Sequence, residues 1–364
     1  MKNFVIFYPS FERGGATKVL INLIKFFSLK KKRIYLISDK RDKNLNKIKN
    51  LKIIISTRYN FKHINNRIST SFASLMALKQ LLKKLDKKET IILSMQSNFF
   101  PAVFSFIFNW KVFTRVSEDP CGATEFADNK IFALIILITK FITYNLSYRI
   151  IVNATISKKC VEKFLFSKKK VILLFNPTLN QIYKSNIQPR KNYFLNVGRL
   201  CKQKNQTLLI DAFYIFCKKN KKYKLLFFGD GPDKQKLINK VKNLKLSNNV
   251  KFLGWNKKLS KNYKESKLFI HTAFYEGMPN ALIEAINYEL PSIALNSSGV
   301  EDVLLKGKGG EILYDKSPKS LAKKIMFAVS NYKKLLKKTK ISKKYINDYS
   351  IEKAGQKYIN QLCE

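Results

Sequence analysis

Acidic residues are scarce in this chain of 364 residues: 24 Asp and Glu stand against 70 Lys and Arg, for a net charge of +46. A surface so short of negative charge attracts phosphates, whether of nucleotide, nucleic acid or anionic lipid. Histidine is scarcer still. His63 and His271 are too few for a His-rich metal site, and His63 reads as a solvated surface residue. The five cysteines, Cys121, Cys160, Cys201, Cys217 and Cys363, form no C-x-x-C pair and have no neighbouring His. That argues against a disulfide framework and against zinc, and for a reducing compartment. No apolar run reaches the roughly 20 residues of a spanning helix. The opening run Phe4 to Tyr8, closed at once by Pro9 and Glu12, is too short for the core of a signal peptide.

What is present is a globular composition. Hydrophobic residues make up 46% and charged residues 26%, enough for a sizeable core, which excludes disordered and fibrous classes. At about 150 residues per domain the length suggests two domains. Nearly all the cations are Lys, and they occur alongside abundant Asn, Ile, Phe and Tyr, so AT-rich coding is an alternative source of the Lys excess to selection for a partner. The charge acts on any partner whatever its origin.

Strand-like runs alternate with helical patterns along the first half: Phe4–Tyr8, Ile34–Ser38, Ile53–Ser56, Ile91–Ser94, Val112–Arg115, Arg149–Asn153 and Val171–Phe175. The alternation restarts at Tyr193–Val197 and continues through Tyr223–Phe228, Val250–Leu253, Leu268–His271, Ser292–Leu295 and Glu311–Leu313. Alternating strand and helix predicts parallel α/β sheets, and the restart predicts two doubly wound units. The expected division is a first domain over 1–180, a second over 190–345, and a helix within 346–364 that follows a Lys- and Ser-rich linker and packs back on the first. Two segments, Phe99–Trp110 and Ile131–Leu146, are almost wholly apolar. Each reads by default as a buried helix, and in the alternative as a face that dips into a membrane.

Three constellations can carry chemistry. In Phe274-Tyr275-Glu276-Gly277-Met278-Pro279-Asn280-Ala281-Leu282-Ile283-Glu284, a strand is followed by a helix start. Gly277 allows close backbone approach and Pro279 suits the first helical turn. The N–H groups from Gly277 to Leu282, Pro279 excepted, are then expected to form an anion site, with Met278 and Asn280 contributing. Glu276 precedes the helix and Glu284 is expected about two turns in. In Gly198-Arg199-Leu200-Cys201-Lys202-Gln203-Lys204, Arg199 and Lys204 are cations at a strand end, where the charge of a departing diphosphate needs balance. Gly14-Gly15 occupies the first strand-to-helix loop. Each constellation also has a bland reading: a helix cap, a solvated lysine, a tight turn.

Together these residues resemble glycosyltransferase family 4, retaining enzymes of the GT-B fold used in bacterial surface-polysaccharide synthesis. The paired glutamates with seven residues between them are matched by Glu276 and Glu284. The G-R-L…K-x-x…L-I-x-A-F segment is matched by Gly198, Arg199, Leu200, Lys204 and Leu209-Ile210-Asp211-Ala212-Phe213. Gly229, Gly231 and Pro232 match a G-x-G-P turn, Gly14-Gly15-Ala16 the N-terminal G-G-A, and Asn176-Pro177 the Asn-Pro before the linker.

The resemblance implies two Rossmann-like domains facing across a cleft. It implies that Glu276 bonds hydroxyls of the donor sugar and Glu284 the ribose. Arg199 and Lys204 would stabilise the diphosphate, Gly198 and the amides after Gly277 would hold sugar and phosphate, and Gly15 would face the donor. The family's first-domain His is absent. Its region reads Thr114-Arg115-Val116-Ser117-Glu118, leaving Arg115 and Glu118 to contact donor or acceptor.

The implied activity is metal-independent transfer of a hexose or N-acetylhexosamine from a UDP- or GDP-sugar to a glycan or lipid-linked glycan in lipopolysaccharide, O-antigen or capsule synthesis. No cofactor, metal or nucleic acid is expected. The expected location is cytoplasmic, peripheral on the inner face of the membrane, against anionic lipid. Two rivals stand: a sugar-nucleotide 2-epimerase of the same fold, and a basic nucleic-acid binder, for which no RRM, KH or zinc-finger signature is present.

Overall fold

The computed structural model describes residues 2–12, 14–56, 66–125, 130–184, 189–256 and 258–364; His63 lies outside them. The chain divides into two compact units: Met1–Asn180 with Tyr349–Glu364, and Gln181–Asp348.

The first unit is built on seven strands: β1 (Asn3–Phe7), β2 (Arg33–Ser38), β3 (Leu51–Ile55), β4 (Thr90–Ser94), β5 (Val112–Val116), β6 (Arg149–Val152) and β7 (Val171–Leu173). They form one all-parallel sheet in the order β3-β2-β1-β4-β5-β6-β7. Central strands of such a sheet are covered on both faces and so read as unbroken apolar runs. β1, Asn-Phe-Val-Ile-Phe, is buried at every position. Phe4 and Ile6 pack on one face with Leu20, Leu23 and Phe27, while Val5 and Phe7 pack on the other with Leu78 and Leu82.

The helix Ile351–Cys363 belongs to this unit. It lies against the helix Gly15–Leu29, and Gly355 sits so close that a Cβ there would come within 2.6 Å of the Phe26 ring. A glycine in mid-helix costs roughly 0.5–1 kcal/mol relative to Ala, and here close packing is what it provides.

The second unit has six strands: β8 (Lys191–Val197), β9 (Lys224–Phe228), β10 (Val250–Phe252), β11 (Ser266–His271), β12 (Ser292–Leu295) and β13 (Glu311–Leu313). All are parallel, in the order β10-β9-β8-β11-β12-β13. The chain winds outward from β8 to β10, then returns to place β11 on the other side of β8. This reversal opens a crevice at the carboxyl ends of β8 and β11.

Three expectations are corrected. The cysteines are not all unpaired: Cys121 and Cys160 form a disulfide, with S–S 2.01 Å. The two lie 39 residues apart in sequence. They meet because β5 and β6 are neighbours, so the helices that follow them, Pro120–Glu125 and Thr155–Glu162, start side by side. The Lys- and Ser-rich stretch before the last helix is not a linker. It contains the helices Pro318–Ser330, capped by Ser317 on the Ser320 amide, and Tyr332–Lys344. Most of its lysines face solvent, Lys324 and Lys338 turn to Glu311 and Lys343 to Asn287, and Leu321, Ile325 and Leu335 enter the core. The segments at 99–110 and 131–146 are helical, over Phe99–Phe108 and Lys130–Leu146, but they are not buried helices, because much of their apolar surface faces outward.

Candidate active site

The two strands flanking the crevice are pinned together where it begins. The buried Asn196 of β8 donates from Nδ2 to the carbonyl of Ile270 in β11 at 2.7 Å. Beyond the strand ends, two loops are cross-linked. The Phe274 amide donates to the Gln203 carbonyl at 2.9 Å. The Gln203 side chain donates to the Tyr275 carbonyl at 2.9 Å, and the Thr272 hydroxyl to the Lys204 carbonyl at 3.0 Å. Asn205 closes the first loop in the left-handed region (φ 49°), which Asn tolerates better than most residues, and caps the helix Gln206–Cys217.

This lacing brings Lys204 and Glu276 together as an ion pair, with Nζ on Oε1. The other carboxylate oxygen, Oε2, lies 3.0 Å from Nε2 of His271, the last residue of β11. The approach lacks hydrogen-bond alignment, and both atoms are buried without a partner. Burial, and then the Lys204 charge, lower the His271 pKa to about 3, so the imidazole is neutral at ordinary pH.

Two further unpartnered polar atoms, Asn296 Oδ1 and Ser297 Oγ, lie just past the carboxyl end of β12. Buried polar groups are nearly always paired. Four such atoms gather at two neighbouring strand ends, where a polar ligand or an ordered water can complete the bonding. The loop containing them packs on the Glu276 loop through Gly299, where a Cβ would stand 2.5 Å from the Gly277 carbonyl oxygen and 2.8 Å from Pro279 Cδ. Only glycine fits there.

The helix after Glu276 runs Asn280–Asn287, so Pro279 is its cap and not part of its first turn. Glu284 therefore lies little more than one turn in, not two, and its Oε2 accepts from the Tyr263 hydroxyl at 2.9 Å. Leu282 is corrected as a ligand donor: its amide donates to the Pro279 carbonyl at 3.0 Å and its side chain is in the core. Gly277, Met278 and Pro279 are buried, whereas Asn280 is half-buried.

Gly198 follows β8, and a Cβ there would stand 3.8 Å from the Lys204 side chain, in ordinary contact. Arg199 is exposed, and its carbonyl accepts from Gln206 Nε2 at 2.9 Å. The Gly229-Asp230-Gly231-Pro232 turn is held to this loop by the Leu200 amide on the Asp230 carbonyl (3.0 Å) and the Asp233 amide on the Leu200 carbonyl (3.1 Å).

Gly15, Arg115 and Glu118 belong to the first unit. Gly15 is exposed and opens its helix, and Glu118 is exposed. Arg115 is a correction. The residue is 1% exposed, and each guanidinium nitrogen donates once, Nε to Tyr358 Oη at 3.1 Å, Nη2 to Asn176 Oδ1 at 2.6 Å and Nη1 to Ser117 Oγ. It ties β5 to the C-terminal helix and to the Asn-Pro segment, a structural role in place of substrate contact.

His271, Asn296, Ser297, Gly299 and Tyr263 were not singled out from sequence. For His271 a signal was available: a histidine ending an apolar strand five residues before Glu276. For the others the contacts arise only in the fold.

Among solved structures, HepE of Anabaena in complex with UDP and glucose aligns over all of both chains with TM-score 0.83 at 16% identity. The lipopolysaccharide outer core galactosyltransferase WaaB aligns over 99% of this chain and 98% of its own, with TM-score 0.70 at 18% identity. These likenesses show the fold, two Rossmann-like units of the GT-B type. An uncharacterized glycosyltransferase of Methanocaldococcus jannaschii is 35% identical over 185 residues, 47% of this chain and 45% of that protein. The amylovoran biosynthesis glycosyltransferase AmsD of Erwinia amylovora is 37% identical over 125 residues, 34% of this chain and 35% of that protein. The chain thus spans less than half the length of these two relatives. A Campylobacter jejuni α-1,4-N-acetyl-D-galactosaminyltransferase, named for a diphospho-undecaprenol-linked glycan acceptor, is 24% identical over all of this chain and 98% of its own. Residues 178–345, which carry the crevice at β8 and β11, match the family model of the glycosyl transferases group 1.

Proposed function

We propose that this chain is a retaining glycosyltransferase that moves a sugar from a nucleoside-diphosphate donor to a glycan or lipid-linked glycan in surface-polysaccharide synthesis. The observation that carries the reading is the crevice at the β8/β11 reversal, where Lys204, Glu276 and His271 converge beside unpartnered polar atoms. The relatives support it, since several are named for transfer to polysaccharide or lipid-linked glycan.

In this mechanism the bond from the anomeric carbon to the diphosphate oxygen breaks, and a bond from that carbon to the acceptor oxygen forms on the same face. The acceptor proton passes to the departing diphosphate. Lys204 and Arg199 balance the charge that develops on the leaving group, which is where electrostatic stabilisation acts most strongly. Glu276 orients the sugar through its hydroxyls, and Glu284 holds the ribose. Neutral His271 backs the Glu276 carboxylate without competing with Lys204 for charge. With two side-chain cations at the diphosphate, the reaction needs no metal.

The test is a screen of UDP- and GDP-sugars with a pool of lipid-linked glycan acceptors, read by mass spectrometry. The expected result is a product heavier by one sugar, with the anomeric configuration of the donor. Conversion of a UDP-sugar to an epimer without acceptor, and no transfer from any donor, overturns the proposal.

A further inference from the structure

The helix Lys130–Leu146 is amphipathic in the reverse sense. Ile131, Leu134, Ile135, Ile138, Phe141 and Ile142 recur at the spacing of one helical face, and all are exposed, Ile131 to 75%. Thr143, Tyr144 and Ser147 face inward and are buried, Ser147 bonding Thr114 of β5 at 2.7 Å. A helix on the surface of a water-soluble domain normally turns its apolar stripe to the core. Lys140 is the only charged residue between 131 and 146. It is half-buried and points its ammonium back toward the Pro120 carbonyl at 3.4 Å, away from the apolar stripe.

The stripe is part of a wider face. The helix Phe99–Phe108 packs alongside and ends in exposed Phe106, Ile107 and Phe108. Phe166, 84% exposed, sets its ring 5.3 Å from that of Phe141. Cations border this surface. Lys79 lies over the Phe108 ring at 5.9 Å, Lys87 over Trp110 at 5.8 Å and Lys111 over Tyr148 at 4.9 Å. Exposed Lys168 and Lys169 follow Phe166 after Ser167.

We propose that this face docks on an anionic lipid bilayer. Ile131 to Ile142, Phe106 to Phe108 and Phe166 enter the boundary between headgroups and acyl chains, and the bordering lysines rest on lipid phosphates. An apolar centre with a cationic rim is the chemistry of an interfacial anchor. A second copy of the chain fits less well, because a face-to-face pairing would bring two like-charged rims together. Nucleic acid offers no match for the apolar centre.

The experiment is flotation of the full chain with neutral phosphatidylcholine vesicles and with vesicles containing phosphatidylglycerol. Salt is varied between about 0.1 M and 1 M, which shortens the Debye length from roughly 10 to 3 Å. The expected result is flotation with the anionic vesicles at low salt, with part of the protein retained at high salt. Replacing Ile135 and Ile138 together by Ser should lower the vesicle partition coefficient about tenfold or more and abolish the salt-resistant fraction, with Tm unchanged. Lys168→Gln with Lys169→Gln should weaken low-salt binding to anionic vesicles only. If the isoleucine pair proves necessary for folding, Phe166→Ser gives the same readout from a side chain that is almost wholly exposed. Three outcomes overturn the proposal: no flotation with either vesicle at low salt, unchanged flotation of the folded Ser variants, or a solution dimer that these variants dissociate.

Discussion

The Lys204 ammonium rests on Oε1 of the Glu276 carboxylate, joining the loop after β8 to the loop after β11. Before a donor arrives, therefore, each group is neutralised by the other. A bound diphosphate draws on the same ammonium, so donor binding and the orientation of Glu276 are coupled. Lys204→Ala and Glu276→Ala should each lower kcat/KM by about 10²-fold or more, the scale of removing one transition-state stabiliser. The double variant should lose far less than the product of the two losses, since the residues act as a unit. Arg199→Ala should fall in the same range, and activity should survive EDTA. Additive losses in the double variant, or a loss in EDTA that added Mg²⁺ or Mn²⁺ restores, would contradict this picture.

Glu284 should behave differently. Its carboxylate is held by the hydroxyl of Tyr263, a fully buried residue stacked on Tyr288 with ring centroids 5.6 Å apart. Tyr263→Phe keeps the packing and removes one hydrogen bond. The expected effect is a several-fold rise in donor KM with kcat nearly unchanged, because ribose contacts are made equally in ground and transition states. Glu284→Ala should raise KM further. Steady-state kinetics with donor varied at saturating acceptor would show the split, and a fall in kcat alone would refute it.

His271 gives stability a pH dependence of fixed sign. Its folded pKa of about 3 lies below its ordinary value of 6.5, so between these limits the unfolded chain binds a proton that the folded chain refuses. Stability is unaffected above pH 6.5 and is lost as pH falls toward 3. Between pH 7.5 and pH 5 the loss from this group should be about 2 kcal/mol. In urea melts at those two pH values, His271→Leu should shift less than the wild type. Glu311 works in the same direction at lower pH. Burial pushes its carboxyl up, but hydrogen bonds from Lys338 (2.7 Å) and Lys324 (3.1 Å) outweigh that and hold it below the usual value. Its contribution therefore fades as pH drops through the carboxylate range. Equal melt shifts in wild type and His271→Leu would rule out the assignment to His271.

Gly299→Ala tests the seating of the Glu276 loop. The added methyl meets the Gly277 carbonyl and Pro279 ring, which must move. Overpacking of this kind costs about 1–3 kcal/mol. The expected outcome is a folded protein with strongly reduced kcat, measured alongside Tm. Wild-type kinetics in the variant would show that the loop seats without this contact.

Strands were the most legible part of the sequence. Runs such as Phe4 to Tyr8 and Leu268 to His271 are continuous and apolar because parallel strands are covered on both faces. The helices at 318–344 were hidden because a lysine-rich surface masks the few apolar positions, Leu321, Ile325 and Leu335, that anchor them. The Cys121–Cys160 bond was hidden because it depends on which strands are neighbours, and spacing does not encode that. The orientation of the apolar helices was undecided for a related reason: a hydrophobic stripe does not say which way it faces. Within the site, charged and glycine-rich positions drew notice by residue type. Gly299 matters through its contact with a loop some twenty residues earlier, and Asn296 and Ser297 through buried polar atoms at the end of the strand beside β11, and nothing in their own neighbourhood announces it.

The Gly355 contact on Phe26 also bears on how the chain is made. Phe26 and Leu23 remain without part of their cover until the helix Ile351–Cys363 arrives, more than 320 residues later. On a ribosome, the unit at 181–348 can finish folding first, although it is encoded second. Domains usually mature in the order of their synthesis, and this topology reverses that order. From Asn180 to Ile351, nearly half of translation, the first unit waits with a greasy groove open, a vulnerable interval in which a chaperone has something definite to hold.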